Sequence, residues 1–244
     1  MGENILIVDD DREIVDAIEF YLKPEGFNIL KAYDGLEAIE NLIDSNIDLV
    51  IMDVMMPNMD GLKATLKIRE NNNIPIILLS AKDQDMDKIL GLNMGADDYI
   101  TKPFNPLELI ARVKSQLRRF INLNTMSENP HISSCTNSIL NSGGLCLNKD
   151  TKIVTLDGEN IKVTPIEFKI LEFLLENKGI VFSSKDIYEH VWEEIAYNCE
   201  KTVAVHIRRI REKIEINSKD PKYLKVVWGI GYKIEKNCLL IIHF

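Results

Sequence analysis

Cysteine and long apolar runs are scarce in this 244-residue chain. Its four cysteines stand far apart and without CxxC spacing, which argues against a disulfide framework and against a zinc site. No apolar stretch approaches the roughly 20 residues of a membrane span, and the first residues lack the basic start and small-residue cleavage site of a secretory signal. We therefore expect a cytoplasmic protein with reduced thiols and no membrane contact.

Positive charge is also in short supply, and its distribution is uneven. The chain has 29 Lys and Arg against 38 Asp and Glu, a formal net charge of −9. Residues 1–121 account for this whole excess, whereas residues 122–244 are neutral overall. Within the neutral half, residues 201–213 carry five basic side chains and one acidic side chain. The low overall charge argues against nucleic-acid binding by the whole surface, but a local basic segment can still serve that purpose.

The length and the composition indicate a globular protein of about two domains. In the first half, short apolar runs alternate with segments of helical spacing. The expected strands lie at residues 5–8, 28–32, 48–52, 76–79 and 99–100. This alternation predicts an α/β domain over residues 1–121 with a doubly wound, five-stranded parallel sheet. Such a sheet binds its ligands at the carboxyl ends of its strands.

The second half has a different pattern. Residues 122–142 are rich in Asn, Ser and Thr and predict a linker. Residues 143–236 predict short strands, a helix capped by Thr164 and Pro165, two further helices and a terminal hairpin. This order indicates an α+β winged helix-turn-helix domain. Residues 237–244 are an apolar tail, and the sequence leaves open whether it is an added strand, a dimer contact or a frayed end.

Three aspartates follow strands of the predicted parallel sheet. Asp9 and Asp10 come directly after the first strand, and Asp53 ends the third. Their carboxylates should meet at one edge of the sheet, where mutual repulsion favours a bound cation, and hard oxygen ligands select Mg²⁺ or a similar ion. A lone aspartate in such a place is more often a turn former or a helix cap, and Asp10 and Asp11 could serve the first helix in that way.

A hydroxyl and an ammonium group reach the same edge, because Ser80 closes the fourth strand and Lys102 the fifth. Together with a metal ion, these groups form an electrostatic clamp for a phosphoryl group in transfer. A carboxylate that attacks phosphorus gives an acyl phosphate, so Asp53 is the expected nucleophile. The pattern predicts a pocket that becomes phosphorylated. A Mg²⁺-dependent phosphohydrolase that turns over an aspartyl phosphate is the alternative.

These residues stand in segments that resemble the receiver domain of two-component response regulators. The likeness covers residues 3–121 and rests on residues 7–10, 52–57, 61, 80–82 and 95–104. It implies a flavodoxin-like fold in which Asp53 accepts phosphate from a phosphohistidine of a sensor histidine kinase. The residues implied to hold Mg²⁺ are Asp9, Asp10, Asp53 and, through its carbonyl, Met55. Those implied to contact the phosphate or to switch with it are Lys102, before a cis bond to Pro103, and Ser80 and Tyr99. The resemblance implies no classical enzyme, although such a protein can catalyse its own dephosphorylation.

The basic segment of the second half has the spacing of one helix. Its apolar positions recur every three or four residues and give one buried face, at Val203, Ile207, Ile210 and Ile214. The residues expected to project toward DNA are Thr202, Val205, Arg208, Arg209, Arg211 and Lys213. Such a helix can enter a major groove, where arginines contact phosphates or guanine edges. The alternative is a solvated basic face without a ligand.

The second half resembles the effector domain of the OmpR/PhoB family over about residues 143–236, on the evidence of residues 164–168, 202–213 and 227–232. The resemblance implies that residues 201–214 are the recognition helix and residues 223–234 a wing along the minor groove of promoter DNA. Relatives often have arginine where Trp228 stands. The wing contact here is therefore either apolar stacking by Trp228 or falls to Lys225 or Lys233.

Two segments, residues 95–120 and 221–236, are especially similar to the vancomycin-resistance regulators of this family. That likeness implies a sensor kinase of the VanS type and promoters of cell-wall precursor genes, with RNA polymerase as a further partner. A second domain that binds only protein partners stays an alternative.

Charges of both signs alternate over the fourth helix, the fifth strand and the last helix predicted in the first half. The residues concerned are Lys88, Asp97, Asp98, Glu108, Arg112 and Arg119. Self-complementary charges suit a two-fold interface. The family resemblance implies a homodimer that forms on phosphorylation and places two effector domains on half-sites about one helical turn apart. The alternative is ordinary surface ion pairing, which contributes little energy.

Overall fold

The computed structural model of this chain describes residues 2–81, 91–92, 94–124, 138–196 and 199–236. The chain divides into two compact units, residues 1–120 and 121–244. None of the described helices is both long enough and apolar enough to span a bilayer. Two of the four cysteines, Cys146 and Cys199, lie in the described part and carry free thiols. The tail at residues 237–244 lies outside the described residues.

The first unit contains a five-stranded parallel sheet in the order β2-β1-β3-β4-β5. Its strands are β1 Asn4–Val8, β2 Asn28–Ala32, β3 Leu49–Asp53, β4 Ile76–Ala81 and β5 Asp98–Lys102. The described helices are α1 Arg12–Leu22, a short 3-10 helix Lys23–Glu25, α2 Gly35–Asp44, α3 Gly61–Asn71 and α4 Pro106–Asn124. This order confirms the predicted doubly wound architecture, with its ligand edge at the carboxyl ends of the strands.

Apolar runs and acidic caps explain these elements. The core residues of β1 and β3 are buried, which is why their sequences run without polar interruption up to the strand ends. Three helices begin after an aspartate, since Asp11, Asp34 and Asp60 accept backbone hydrogen bonds at the starts of α1, α2 and α3. Asp11 is thus the N-cap of α1. Asp9 and Asp10 follow β1 and do not cap this helix.

The second unit joins an antiparallel sheet, three helices and a hairpin. The sheet has the order β6-β7-β8-β9, with strands β6 Ile139–Ser142, β7 Leu145–Asn148, β8 Ile153–Leu156 and β9 Glu159–Ile161. The helices are α5 Pro165–Glu176, α6 Ser184–Trp192 and α7 Glu200–Ile214, and the hairpin strands are β10 Leu224–Val227 and β11 Gly231–Ile234. Three helices followed by a hairpin confirm the predicted winged helix architecture.

One strand lies where a linker was expected. β6 pairs with β7 in antiparallel register, with Leu140 opposite Leu147, and the hydroxyl of Ser142 donates to the carbonyl oxygen of Glu235 at 2.9 Å. Residues 139–142 therefore belong to the sheet, and the prediction of a linker through residue 142 is wrong. The composition was misleading because Asn141 lies on the exposed face of this edge strand, whereas the buried hydroxyl of Ser142 has a hydrogen-bond partner in Glu235.

A carboxylate is fully buried where α5 meets α7. Glu167 is 0% exposed, its Oε1 lies 3.0 Å from Nη2 of Arg209, and its Oε2 lies 2.6 Å from Nζ of Lys213. Glu167 also accepts a hydrogen bond from the Thr164 amide, which closes a capping box at the start of α5. Burial alone would raise the pKa of Glu167, but the two cations and the hydrogen bonds hold it below its ordinary value. The ionised carboxylate thus joins α5 to α7.

We expect Glu167→Gln to destabilise the second unit by about 3 kcal/mol at pH 7, because it deprives two partly or fully buried cations of their counter-charge. The folded pKa of Glu167 lies below the unfolded value of about 4.3. Its stabilisation is therefore complete above about pH 5 and is lost as the pH falls through the folded pKa. The difference in unfolding free energy between wild type and variant should shrink from about pH 7 to about pH 3.

The measurement is urea unfolding of the full chain followed by tryptophan fluorescence, because both tryptophans, Trp192 and Trp228, belong to the second unit. Glu159→Gln is the matched control, since Glu159 is exposed on β9 and should change the stability by no more than about 0.5 kcal/mol at any pH. A wild-type minus Glu167→Gln difference that stays constant across the pH range would contradict the expectation.

Candidate functional site

Three carboxylates meet at the carboxyl edge of the parallel sheet. Val8 of β1 pairs with Met52 of β3, which brings the following residues, Asp9 and Asp53, side by side. Asp9 is 1% exposed and Asp53 is 6% exposed, whereas Asp10 lies at the surface. One carboxylate oxygen from each of the three lies within 4.8 Å of the others. The structure therefore brings together the three aspartates singled out in the sequence.

Lys102 holds two of these carboxylates. It is the last residue of β5, and its Nζ lies 2.6 Å from Oδ2 of Asp9 and 2.5 Å from Oδ1 of Asp53. The other oxygen of each carboxylate accepts a backbone hydrogen bond, from the amide of Asp11 at 3.0 Å and from the amide of Met55 at 2.7 Å. Fixed donors thus orient both carboxylates, and one ammonium group bridges them.

The burial of this edge shifts the protonation equilibria. Burial raises the pKa of Asp9, while the hydrogen bonds from Lys102 and from the Asp11 amide act in the opposite direction. For Lys102, burial would lower the pKa, but hydrogen bonds to Asp53 and Asp9 raise it above its ordinary value. The ammonium group therefore stays charged and serves as the counter-charge of the two buried carboxylates.

The carboxylates open onto a cavity of about 360 Å³, which Ser80 and Met55 also line. Ser80 is 2% exposed at the end of β4. The loop after β3 closes tightly against the site, because a Cβ at Gly61 would lie 2.0 Å from the carbonyl oxygen of Asp53. A nucleophile, a hydroxyl and a cation thus share one small cavity that a phosphoryl group could enter.

Two further expectations concern β5. The peptide bond between Lys102 and Pro103 is cis, as the resemblance implied. Tyr99 is half-buried on the same strand, but it is not among the described residues that line the cavity. Its assignment to the switch pair therefore stays a prediction.

The donor set of this site fits a hard divalent cation. Three carboxylates offer oxygen ligands on one side of a cavity, which is the environment that Mg²⁺ or a similar ion takes in proteins. The exposure of Asp10 leaves room for the water ligands that such an ion retains. A cation, Lys102 and Ser80 together would surround a phosphoryl group on Asp53 with positive charge and a hydrogen-bond donor.

The residues of α7 divide between the core and the surface. The four apolar positions expected in the core are buried, at Val203, Ile207, Ile210 and Ile214. The exposed positions form one stripe, at Glu200, Lys201, Ala204, Arg208 and Glu212. Arg208 forms an ion pair with Glu212 at 2.8 Å. Sequence reasoning did not single out Lys201 as a contact residue, although the steps of three and four from it to Arg208 could have shown that they share a face.

Five of the six α7 side chains predicted to project toward DNA are placed otherwise. Thr202, Val205 and Arg209 are buried, at 4%, 6% and 7% exposure. Arg209 and Lys213 pair with Glu167, and Arg211 donates from Nε to the carbonyl oxygen of Leu224 at 2.8 Å. The prediction that all of them project from free faces is wrong, because α5 and the hairpin pack on the two flanks of α7. Of the six, only Arg208 is exposed.

The hairpin presents a tryptophan and lysines. Trp228 is 89% exposed, Lys225 is exposed, and Lys233 lies 3.0 Å from Glu235. His206 is buried beside the Trp192 ring with centroids 5.4 Å apart. The surface expected to meet DNA therefore consists of the α7 stripe and the hairpin.

The charged residues proposed for a dimer interface are only partly at the surface. Arg112 lies 2.9 Å from Asp98 and 3.1 Å from Glu108, in a half-buried ion-pair chain. Asp97 is 0% exposed and pairs with Arg69 of α3 at 2.5 Å, and Arg119 is 2% exposed with a hydrogen bond to the Ser115 hydroxyl.

The prediction of Asp97 and Arg119 as surface interface charges is therefore wrong, because both side chains are occupied within the unit. Lys88 lies outside the described residues. Asp98, Glu108 and Arg112 stay candidates for a two-fold contact.

Comparison with known proteins agrees with this two-part organisation. Residues 5–114 match the family described as response regulator receiver domain, and residues 158–234 match the family described as transcriptional regulatory protein, C terminal. Regulatory protein VanR of Enterococcus faecium is 46% identical, over 97% of this chain and 100% of that protein. Regulatory protein VanRc of Enterococcus gallinarum is 44% identical, over 97% of this chain and 100% of that protein.

A solved structure of a RitR mutant is similar in fold, with a TM-score of 0.73 at 21% identity over 96% of this chain and 99% of that chain. The two family matches cover the pocket and the α7 surface respectively, and the enterococcal relatives extend over nearly the whole chain. The chain belongs to the OmpR/PhoB family of two-component response regulators, with a receiver domain followed by a DNA-binding domain.

Proposed function

We propose that Asp53 is the phosphoacceptor of this response regulator and that its phosphorylation controls DNA binding. The observation that carries the proposal is the convergence of Asp53, Asp9 and Lys102 on a small open cavity, with Nζ of Lys102 at 2.5 Å from Asp53. A buried carboxylate beside a fixed cation is a suitable nucleophile for phosphorus, because the cation stabilises the charge of the incoming phosphoryl group.

The phosphoryl donor is the phosphohistidine of a sensor histidine kinase. An oxygen of Asp53 attacks phosphorus, the bond between phosphorus and the imidazole nitrogen breaks, and the imidazole keeps the electron pair. Lys102 then contacts a phosphoryl oxygen in exchange for one of its carboxylate partners. Asp9, Asp10, Asp53 and the carbonyl of Met55 would hold Mg²⁺, which supplies charge neutralisation for the phosphoryl oxygens. Attack by water on the acyl phosphate would reset the site, so that the protein removes its own phosphate.

The switch and the output complete the proposal. The Ser80 hydroxyl turns toward the new phosphoryl oxygens, and the Tyr99 ring follows into the space that Ser80 vacates. Phosphorylation then promotes a homodimer through Asp98, Glu108 and Arg112. Two copies of α7 read promoter half-sites, with RNA polymerase as a further partner. The identity to the enterococcal VanR proteins supports a VanS-type kinase and control of vancomycin-resistance genes in the cytoplasm.

We expect acetyl phosphate with Mg²⁺ to place one phosphoryl group on each chain, detected by intact-mass measurement. Asp53→Asn should abolish the modification, because the amide has nearly the same shape but is not a nucleophile. Lys102→Ala should reduce the initial rate by about 100-fold or more, since it removes a preorganised charge worth about 3 kcal/mol in the transition state.

Asp44→Asn is the matched control for this experiment, because Asp44 is an exposed carboxylate at the end of α2. It should be phosphorylated like the wild type. Phosphorylation that persists in Asp53→Asn would refute the assignment of the phosphoacceptor. Multiple turnover on small phosphate esters would favour the phosphohydrolase instead.

For DNA binding, we expect Arg208 and Arg209 to behave differently. With a duplex selected by the phosphorylated full chain from a random pool, Arg208→Gln should lower the affinity and reduce the slope of log affinity against log salt by about 1, because one phosphate contact is lost. It should leave the stability within about 0.5 kcal/mol of wild type. Arg209→Gln should instead destabilise the second unit, because the buried Glu167 loses one of its two cationic partners.

Lys162→Gln provides the control for charge, because Lys162 is exposed and directly follows β9 of the antiparallel sheet. It removes one positive charge without touching α7 and should keep the wild-type salt slope. An unchanged slope in Arg208→Gln would remove this arginine from the interface. Absence of duplex binding even after phosphorylation would favour a second unit that binds protein partners.

A further inference from the structure

The tip of the hairpin formed by β10 and β11 is apolar and exposed. Trp228 is 89% exposed, and its neighbours Ile230 and Val226 are 62% and 37% exposed. The other tryptophan of the chain, Trp192, is 0% exposed in the core of the same unit, where so large an apolar side chain is usually found. A cluster of exposed apolar residues marks a contact site.

The base of the hairpin is fixed to α7. Arg211 of α7 donates from Nε to the carbonyl oxygen of Leu224 at 2.8 Å. Directly after α7, the carboxylate of Glu215 accepts hydrogen bonds from the backbone amides of residues 222–224, at 2.6, 2.8 and 2.9 Å. The first strand of the hairpin therefore keeps a set position relative to the helix that carries the exposed stripe.

The second strand is anchored as well. Tyr232 and Phe182 exchange two backbone hydrogen bonds of 2.9 Å, and a Cβ at Gly231 would lie 1.9 Å from the carbonyl oxygen of Phe182. Gly229, with φ of +74°, forms the turn that carries Trp228. Because both strands are held at the base, the hairpin backbone has a set position, and its ordering adds little to the entropy lost on binding.

The charge of the hairpin selects a negatively charged partner. Between Leu224 and Lys236 it contains three lysines, Lys225, Lys233 and Lys236, against one acidic residue, Glu235, which lies 3.8 Å from Lys225 and 3.0 Å from Lys233. Nucleic acid matches this combination, because its bases offer faces on which an indole ring stacks and its phosphates attract the ammonium groups.

We propose that Trp228 is an apolar wedge that inserts between two neighbouring base pairs of the bound duplex. The proposal rests on the proposed DNA binding and specifies how the hairpin contacts its ligand. Ile230 and Val226 pack against the sugars on either side of the inserted ring. Partial unstacking kinks the duplex. The kink selects pyrimidine–purine steps such as TA and CA, because these steps unstack with the least energy.

The test uses the phosphorylated full chain and a duplex that it selects from a random-sequence pool. Acrylamide should quench the exposed Trp228 in the free protein, and duplex binding should lower the quenching constant several-fold. Trp228→Phe, which keeps only the buried Trp192, should show no such change. Energy transfer between dyes at the two duplex ends should report a bend that is reduced in Trp228→Ala and largely kept in Trp228→Phe.

The affinity of Trp228→Ala for this duplex should fall about 10- to 100-fold, as expected for the loss of one stacked aromatic side chain. The slope of log affinity against log salt should not change, because tryptophan carries no charge, whereas Lys225→Gln should lower that slope by about 1. Replacement of the central flexible step of the duplex by GC should weaken wild-type binding more than that of Trp228→Ala.

Several outcomes would overturn the wedge. If a complex forms but acrylamide still quenches Trp228 as in the free protein, the wedge is refuted and DNA binding itself is not. The same holds if the duplex in the complex stays straight. Protection of Trp228 that grows with protein concentration in the absence of DNA would assign the tip to self-association. Failure to select or bind any duplex would instead overturn the proposed function.

Discussion

The bridge that Lys102 makes between Asp9 and Asp53 is the interaction on which the receiver unit depends. Two nearly buried carboxylates at adjacent strand ends repel each other, and the desolvation of each is unfavourable unless a cation offsets it. Lys102 supplies that cation within 2.6 Å of both. A phosphoryl group on Asp53 would compete for the same ammonium group. The chemical event that we propose is therefore coupled directly to the contact that holds β1, β3 and β5 together at this edge.

The second unit also contains a buried carboxylate that is paired with cations. Glu167 is fully buried, forms ion pairs with Arg209 and Lys213, and accepts a hydrogen bond from the Thr164 amide. Because the side chain is 0% exposed, its charge state is part of the structure. Asp53 has the same kind of partner but borders a cavity of about 360 Å³. Both carboxylates are nearly inaccessible to solvent, at 0% exposure for Glu167 and 6% for Asp53. What distinguishes Asp53 is the cavity beside it, which gives a ligand access to its carboxylate.

Sequence patterns predicted those features that depend on a single element. Strand ends located Asp9, Asp53, Ser80 and Lys102, since the edge of a parallel sheet follows from the alternation of elements alone. The patterns failed where a second element decides the outcome. Helical spacing predicted a free face for Arg209, because a helical wheel shows the faces of one helix and not the elements that pack on them. Arg209 is buried because it pairs with Glu167 at the start of α5. Asp97 was misassigned for the same reason, because its partner Arg69 lies 28 residues away.

The charge distribution limits how phosphorylation can act on DNA binding. Residues 1–121 carry a net charge of −9, and an acyl phosphate replaces the single negative charge of Asp53 by about two. By charge alone, phosphorylation would therefore weaken the attraction to a polyanion. An increase in affinity has to come from elsewhere. The pairing of two receivers that we propose would provide it, because a second DNA-binding domain held beside the first would bind at a high effective concentration. Two copies of the hairpin and of α7 would then contact one duplex, and the small basic surface of each copy would be sufficient.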